Sequence, residues 1–542
     1  MTYAGTAAKP VARLMKTLPI TAWIVLLMAT SALAQNAGWS QFASSPGVET
    51  TRHDDIYFTD PTNGWATQDN YIYRTTNGGV TWTTVLYSPG THFRSIGFAT
   101  PMIGFAGNLG PGSYDGATTD TNVMYSSYDG GVTWTAMPAF SQAGMKGLCS
   151  IDVLDSQHIY GAGRVRGPAY VIMSGNGGTN WTMFNLTASN VMNGIMDIYF
   201  RDPTNGWVVG MNTNQYASPP YYGCIARTTN GRASWQVQVT TTIADCYFWK
   251  MSWPSTNIGY VSLQQNGSYT NIVFYKTVDG GNTWVSNGIP ESSVGLGPYG
   301  SGYSFYLQGL GFVSTNEGWI GGASGLPSYG NSFLHTTNGG ATWAPAGFND
   351  TFYVNRIRFM NSTLGFASGG NLYLYSAPLT ITNQPSSQTV IGPTNVTFTV
   401  SATGTAPYYY QWQFNGTNVP NANGPALSVP NAVRADEGVY SVFVSNNYSG
   451  IQSSNAVLTV FLAQRFGQPQ VLPGNQIHLL FSDADGGAML TSNDLATFSV
   501  LASTNLVNWF PVTNALSLSN GSAVLVDTMT NAPRKFYQVL EQ

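Results

Sequence analysis

Four charged residues stand at equivalent places in a repeated pattern: Asp55 opens DIYF, Asp197 opens a second DIYF, Lys250 opens KMSW and Arg356 opens RIRF. Ser95, Ser150 and Gly309 open the related runs SIGF, SIDV and GLGF. Two carboxylates and two cations brought to one level of a fold can do one of two things. They can pair, Asp197 with Lys250 and Arg356 with Asp55, as ion pairs between neighbouring elements. Or they can line a polar site for a ligand. The carboxylates also raise glycoside hydrolysis, which needs two positioned Asp or Glu side chains. Asp115, Asp120, Asp245 and Glu291 join Asp55 and Asp197 as candidates for it, but none of the six sits in a recognisable catalytic motif. The chain carries no zinc-spaced His/Cys cluster, nucleophile elbow or phosphate-binding loop, so neither a metal nor a cofactor is expected.

A second group is aromatic. Tyr114 lies in NLGPGSYDGATTDTN, Tyr216, Tyr221 and Tyr222 in MNTNQYASPPYYG, Tyr269 in QQNGSYTN, Tyr299 and Tyr303 in GLGPYGSGYSFY, and Tyr329 in ASGLPSYGN. Tyrosines exposed beside Asn, Ser and Gly suit a surface that stacks on sugar rings or holds a peptide. The alternative is that each ring packs its own loop down.

The elements that must position these residues are written by repetition. TTNGGVTW ends at Trp82, SYDGGVTW at Trp134, SGNGGTNW at Trp181, TTNGRASW at Trp235, TVDGGNTW at Trp284 and TTNGGATW at Trp343. The spacing of roughly 50 residues is that of propellers, solenoids or arrays. Strand-like runs flank each copy, so the motif reads as a hairpin turn. The acid or amide (Asn77, Asp129, Asn176, Asn230, Asp279, Asn338) bonds the backbone ahead of it, Gly supplies positive φ, and the closing Trp fills the gap to a neighbouring sheet. Each unit also has an opening strand, a turn and a Gly-aromatic strand, as in DPTNGWAT. Four antiparallel strands per unit make a propeller blade. The seven opening strands outnumber the six motif turns, and AGWSQFASSPG near the N-terminus resembles the strand after a turn. It is expected to complete the seventh blade and so close the ring, over residues 37–377.

The turns resemble the Asp-box (BNR) repeat, and the whole unit is similar to the propellers of the photosystem II assembly factor family; sortilin-type receptors, sialidases and xyloglucanases share the box. The resemblance implies a seven-bladed β-propeller in which the box is structural. It does not carry over an activity. The sialidase arginine triad and RIP segment have no counterpart, and the xyloglucanases use two facing propellers where one is read here. Arg232 stands in the fourth box where Gly is expected.

The 542 residues are too many for one core. Residues 1–34, with a basic start, an apolar run and Ala32-Leu33-Ala34, read as a cleavable signal peptide cut after Ala34. No later apolar run is long enough to span a bilayer. The protein is therefore expected to be secreted or at the cell surface. Only 8% of residues are charged and the formal net charge is -4, which argues against a nucleic-acid partner. Of three cysteines, Cys224 and Cys246 are the candidate disulfide and Cys149 reads as a buried thiol. Residues 378–461 resemble an immunoglobulin-like domain, on Trp412 in YQWQFNG and on Asp436, Gly438 and Tyr440, which match a tyrosine corner; Val400 and Val442 replace its disulfide. Residues 463–542 form a further β module resembling those that end large secreted proteins of environmental bacteria. Asp483 and Asp485 in SDADGGA read as an Asp/Gly turn or as half of a calcium loop. The expectation is an all-β, monomeric, exported binding protein for a glycan or an extracellular protein, with spacer and attachment modules. A glycoside hydrolase using ring carboxylates, or a structural matrix protein, are the alternatives.

Overall fold

The structure, a computed structural model, describes residues 38–47, 51–112, 118–137, 145–165, 167–212, 220–231, 233–266, 271–290, 306–323, 333–346, 354–487, 489–529 and 534–541. Apart from two short 3-10 helices, the regular elements among these residues are all β-strands. The chain divides into two compact units, one of residues 1–360 and 365–375 and one of residues 361–364 and 376–542.

The first unit is built of seven separate four-stranded antiparallel sheets, and no backbone ladder joins one to another among the described residues. Sheet one is typical: Asp55–Phe58, Gly64–Gln68, Tyr71–Thr75 and Thr83–Tyr87 pair in that order. Sheets two to six open with Phe93–Phe98, Ser150–Val153, Gly194–Phe200, Cys246–Ser252 and Tyr306–Phe312. The seventh takes three strands from residues 356–376 and its fourth, Trp39–Gln41, from the N-terminal segment, with Trp39 opposite Tyr375. A strand so far away in sequence is held by burial: Trp39 is 2% exposed, with its ring 5.9 Å from that of Trp319.

The repeated turns fold as their residue types dictate. In TTNGGVTW the Thr75 hydroxyl donates to Asn77 Oδ1 at 3.0 Å and accepts from the Gly79 N–H at 2.9 Å, while Asn77 Oδ1 accepts from the Thr81 N–H at 2.9 Å. The N–H of Gly78 donates to Thr62 O at 2.9 Å, tying the turn to the one between the first two strands. The equivalent bond recurs five times, from Gly130, Gly177, Gly231, Gly280 and Gly339. Both sets of turns thus share one end of each sheet.

Successive sheets pack face to face in a fixed register. An aromatic ring in the second strand of one sheet stacks on a ring in the first strand of the next: Trp65 on Phe98 at 3.9 Å, Tyr160 on Phe200 at 3.6 Å and Tyr260 on Phe312 at 3.6 Å. Phe366 of sheet seven stacks in the same way on Phe58 of sheet one, at 3.6 Å. The second glycine, present in five of the six turns, answers to this packing. At Gly79, φ is +89° and an added Cβ would lie 2.2 Å from the ring of Phe42, which follows the N-terminal strand.

In the second unit, residues 380–461 form an immunoglobulin-like sandwich around Trp412, with Val400 and Val442 buried in the same core and no cysteine among its residues. The Tyr440 hydroxyl donates to Asp436 O at 2.8 Å, the bond expected of a tyrosine corner. The C-terminal residues make two small sheets around Leu479, Phe481, Phe498 and Leu525. Asp483 is 2% exposed and accepts two hydrogen bonds from Arg434, at 2.7 and 2.9 Å, while Asp485 accepts from the Gly487 N–H at 3.0 Å in a turn. The calcium-loop reading of SDADGGA is therefore set aside: one of its two carboxylates is already an ion-pair partner. The same guanidinium donates to Glu541 at 2.5 Å.

Candidate functional site

The first strand of every sheet leaves one backbone edge without a ladder, and buried N–H groups there need acceptors. Asp55 supplies one: its carboxylate accepts from the Ile96 N–H of the next sheet at 3.1 Å. Asp197 accepts from Met251 N–H at 2.9 Å, Asp152 from Phe200 N–H at 2.7 Å and the Ser252 hydroxyl from Phe312 N–H at 3.0 Å. Each bond again runs from one sheet to its successor.

The four charged residues singled out from the sequence meet in one network. Arg356 of sheet seven donates to both oxygens of Asp197 of sheet four, at 3.2 and 3.0 Å, and lies 3.3 Å from Asp55 of sheet one. Arg358 adds a bidentate contact to Asp55 at 3.2 and 3.0 Å, and Ser150 donates to Asp197 at 2.6 Å. Lys250 lies 3.9 Å from Asp197 and donates to Met196 O at 3.4 Å. All four are buried, Asp55 completely. Burial pushes the Asp55 carboxyl up, but Arg358 and Arg356 outweigh it and hold the group below its ordinary value. In Asp197 burial is outweighed by Arg356 and Lys250, and the group falls to about 2. Burial, with Arg356 beside it, lowers the Lys250 amine to about 7. Asp152 has a single backbone donor against its burial and rises to about 7.

A second tier, absent from the sequence reading, lies one residue earlier in the strands. Asp54 is bound by Arg52 at 2.7 Å, by His92 at 2.8 Å and by Arg94, and is held below the carboxylate range: burial opposes ionisation, but Arg94, Arg52 and His92 outweigh it. The guanidinium groups of Arg94 and Arg52 sit 5.1 and 5.7 Å from the Trp249 ring, and Trp249 Nε1 donates to Asn355 at 2.6 Å. Arg52 donates to Gln308 at 2.5 Å, Gln308 to Gln264 at 2.7 Å, and Gln264 to the Tyr247 hydroxyl at 2.7 Å. Asp54, Arg94, Trp249, Gln308 and Asn355 each directly precede one of the aligned opening residues. That offset of one was the available signal.

The tyrosines divide. Tyr221 is 7% exposed, receives a hydrogen bond from Asn266 at 2.7 Å and packs with Met211, Tyr247 and Trp249. It holds its own loop down, so the expectation of an exposed ring is corrected for it. Tyr222 is half-buried at the start of Tyr222–Thr228. Tyr114, Tyr216, Tyr269, Tyr299, Tyr303 and Tyr329 lie outside the described residues, as do Asp115, Glu291 and Arg232. Asp120 is engaged by Asn122 at 2.7 Å and by the Tyr125 hydroxyl at 2.6 Å. The box tryptophans Trp82, Trp134, Trp181, Trp235, Trp284 and Trp343 all meet rings of the adjoining strands edge-on, 5.5 to 6.1 Å away.

The disulfide expected between Cys224 and Cys246 does not form: both thiols are free and buried, as is Cys149. Alternation along the strand explains it. Cys224 faces the core shared with sheet three, whereas its neighbour Ile225 faces the core that contains Cys246. Cys246 instead donates to Ile243 O at 2.9 Å. Among the described residues no group of three His, Cys, Asp or Glu could hold a metal ion, and no helix is long and apolar enough to cross a membrane.

Comparison with known proteins finds one family model within the second unit. The family described as Immunoglobulin domain matches residues 380–446. A curated relative, a decoration protein of Escherichia phage T5, is 36% identical over 72 residues, which are 13% of this chain and 44% of that protein. The chain thus spans less than half the length of the curated relative it matches. Among solved structures, a chimeric titin Z1Z2 carrying a decorin peptide is similar at 24% identity over 16% of this chain and 97% of that chain, with a TM-score of 0.15. The complex of titin M10 with the obscurin-like 1 Ig domain is similar at 20% identity over 16% of this chain and 95% of that chain, also at 0.15.

Proposed function

We propose that the seven sheets are the blades of a closed β-propeller, and that the chain is an exported, non-catalytic binding protein. The end of the propeller opposite the box turns takes a glycan or an extracellular protein, while the immunoglobulin-like and C-terminal modules act as spacer and attachment. The ring reading rests on the convergence of Arg356, Asp55 and Asp197 from sheets seven, one and four, and on the N-terminal strand in the seventh sheet. A likeness over 72 residues to a protein named for decoration is in keeping with a binding role.

One observation carries the preference for binding over cleavage. The two ring carboxylates are clamped by guanidinium groups and lie below their ordinary values, so neither can donate a proton near neutrality as a glycosidase acid must. Asp152, raised to about 7, favours the enzyme reading instead. Its nearest acidic companions, however, are already committed to arginine. The test is a glycan array probed with the chain from residue 35 onward, with reducing-end assays on each hit, repeated on Tyr222→Ala. Saturable binding that weakens in the variant, without new reducing ends, supports the reading; hydrolysis overturns it.

A further inference from the structure

The third blade departs from the repeat at several places, and the departures meet. In the box turns the second position is Thr76, Tyr128, Thr229, Val278 or Thr337, but Gly175 in the third. The seventh position is Thr or Ser in five boxes and Asn180 in the third. The turn between the first two strands of this sheet is LDSQHIYG, with His158 where Asn63 and Asn205 stand in DPTNGW. His158, Gly175, Asn176 and Asn180 line one open groove of about 480 Å³, which Pro203 and Asn230 of the next sheet complete. That volume lies within the range of small-molecule sites.

The substitutions change the hydrogen-bond arithmetic of the turn. In the other boxes the acid or amide is tied to the hydroxyl at the seventh position: Asn77 to Thr81 at 2.8 Å, Asp129 to Thr133 at 2.6 Å, Asn230 to Ser234 at 3.0 Å, Asp279 to Thr283 at 2.6 Å and Asn338 to Thr342 at 2.7 Å. The third box keeps the backbone bond, from Asn180 N–H to Asn176 Oδ1 at 2.9 Å. Among the described residues no side-chain bond from Asn176 to Asn180 replaces the missing one. Asn176 Oδ1 also accepts from the Ser174 hydroxyl at 3.1 Å, so the Asn176 amide NH2 and the Asn180 carboxamide are what the turn leaves for a ligand. Gly175 keeps the space before them open, for an added Cβ would meet nothing within 4 Å. His158 is oriented at the groove wall by Asp155, 2.9 Å from its Nδ1.

No Lys, Arg, Asp or Glu lines the groove, and the nearby Asp155 carboxylate is already engaged by His158 and by the Gln157 and His158 N–H groups. Amides and an imidazole nitrogen offer paired donors and acceptors instead, the complement of vicinal hydroxyl groups. We propose that this groove, on the box-turn end of the propeller, is a second binding site that takes a neutral saccharide, either a free oligosaccharide or a unit of a polymer. The groove stands whether or not the opposite end binds anything.

The test uses titration calorimetry of the intact protein with neutral cello-, xylo-, manno- and laminari-hexaose, and pull-down with the matching insoluble polymers. The two arms separate free from polymeric ligand. Asn180→Thr restores the common hydroxyl, and Gly175→Thr restores the common side chain at an unobstructed position. Both are expected to keep the wild-type melting temperature and to weaken saccharide binding at least tenfold. Unchanged affinity in both variants, or no binding of any neutral saccharide in either arm, overturns the proposal. Loss on Tyr222→Ala with both groove variants unaffected would also overturn it, and would leave the reading of the opposite end standing.

Discussion

At the scale of single residues, Arg356 is the centre of the account. Its guanidinium neutralises Asp197 and Asp55 in a buried setting, and removing one member of such a cluster leaves uncompensated charge. Arg356→Met is expected to destabilise the first unit by about 3–5 kcal/mol, measured by urea unfolding. Lys250 gives a pH signature. Its folded value of about 7 lies below the ordinary 10.5, so between the two the unfolded chain binds the extra proton. Stability therefore rises with pH across that window. Unfolding midpoints between pH 7 and 9 are expected to rise in the wild type, and this component of the slope to vanish in Lys250→Met. The charges at the openings of the strands were legible in sequence because the repeat aligns them. Their partner Arg358 and the tier at Asp54 were not, since contacts between separate sheets join residues that no local spacing relates.

At the scale of elements, the box turn was the most legible feature, because its Thr, Asn and Gly act within eight residues of chain. The inter-sheet role of its second glycine was not, since Phe42 reaches Gly79 from another part of the sequence. Gly79→Ala is expected to destabilise by about 1–3 kcal/mol, by strain at positive φ and by collision with that ring, again read in urea. Trp39→Ala is expected to cost about 3–5 kcal/mol, since it empties the core where the N-terminal strand joins sheet seven. In the second unit the tyrosine corner was readable from Asp436, Gly438 and Tyr440. The Arg434 cluster was hidden, because Asp483 and Glu541 lie in a different module from the arginine. Arg434→Met should lower stability by about 3–5 kcal/mol by stranding both carboxylates. The free thiols of Cys224 and Cys246 were missed for a different reason: strand alternation sends the two side chains into different cores.

At the scale of the whole molecule, the scaffold is repetitive and function is read from what breaks the repetition. The polar tier around Asp54 marks one end of the sheets, and the altered turns of the third sheet mark the other. Among the described residues the strand-opening carboxylates Asp55 and Asp197 are both paired with guanidinium groups, which is in keeping with the proposed protein that holds its ligand without changing it. The most direct test is to screen the chain from residue 35 onward on a glycan array and to follow reducing ends for every glycan bound. Saturable binding with no release of reducing ends is the predicted result. Release of new reducing ends, abolished by Asp152→Asn, would contradict the account and make the protein a hydrolase.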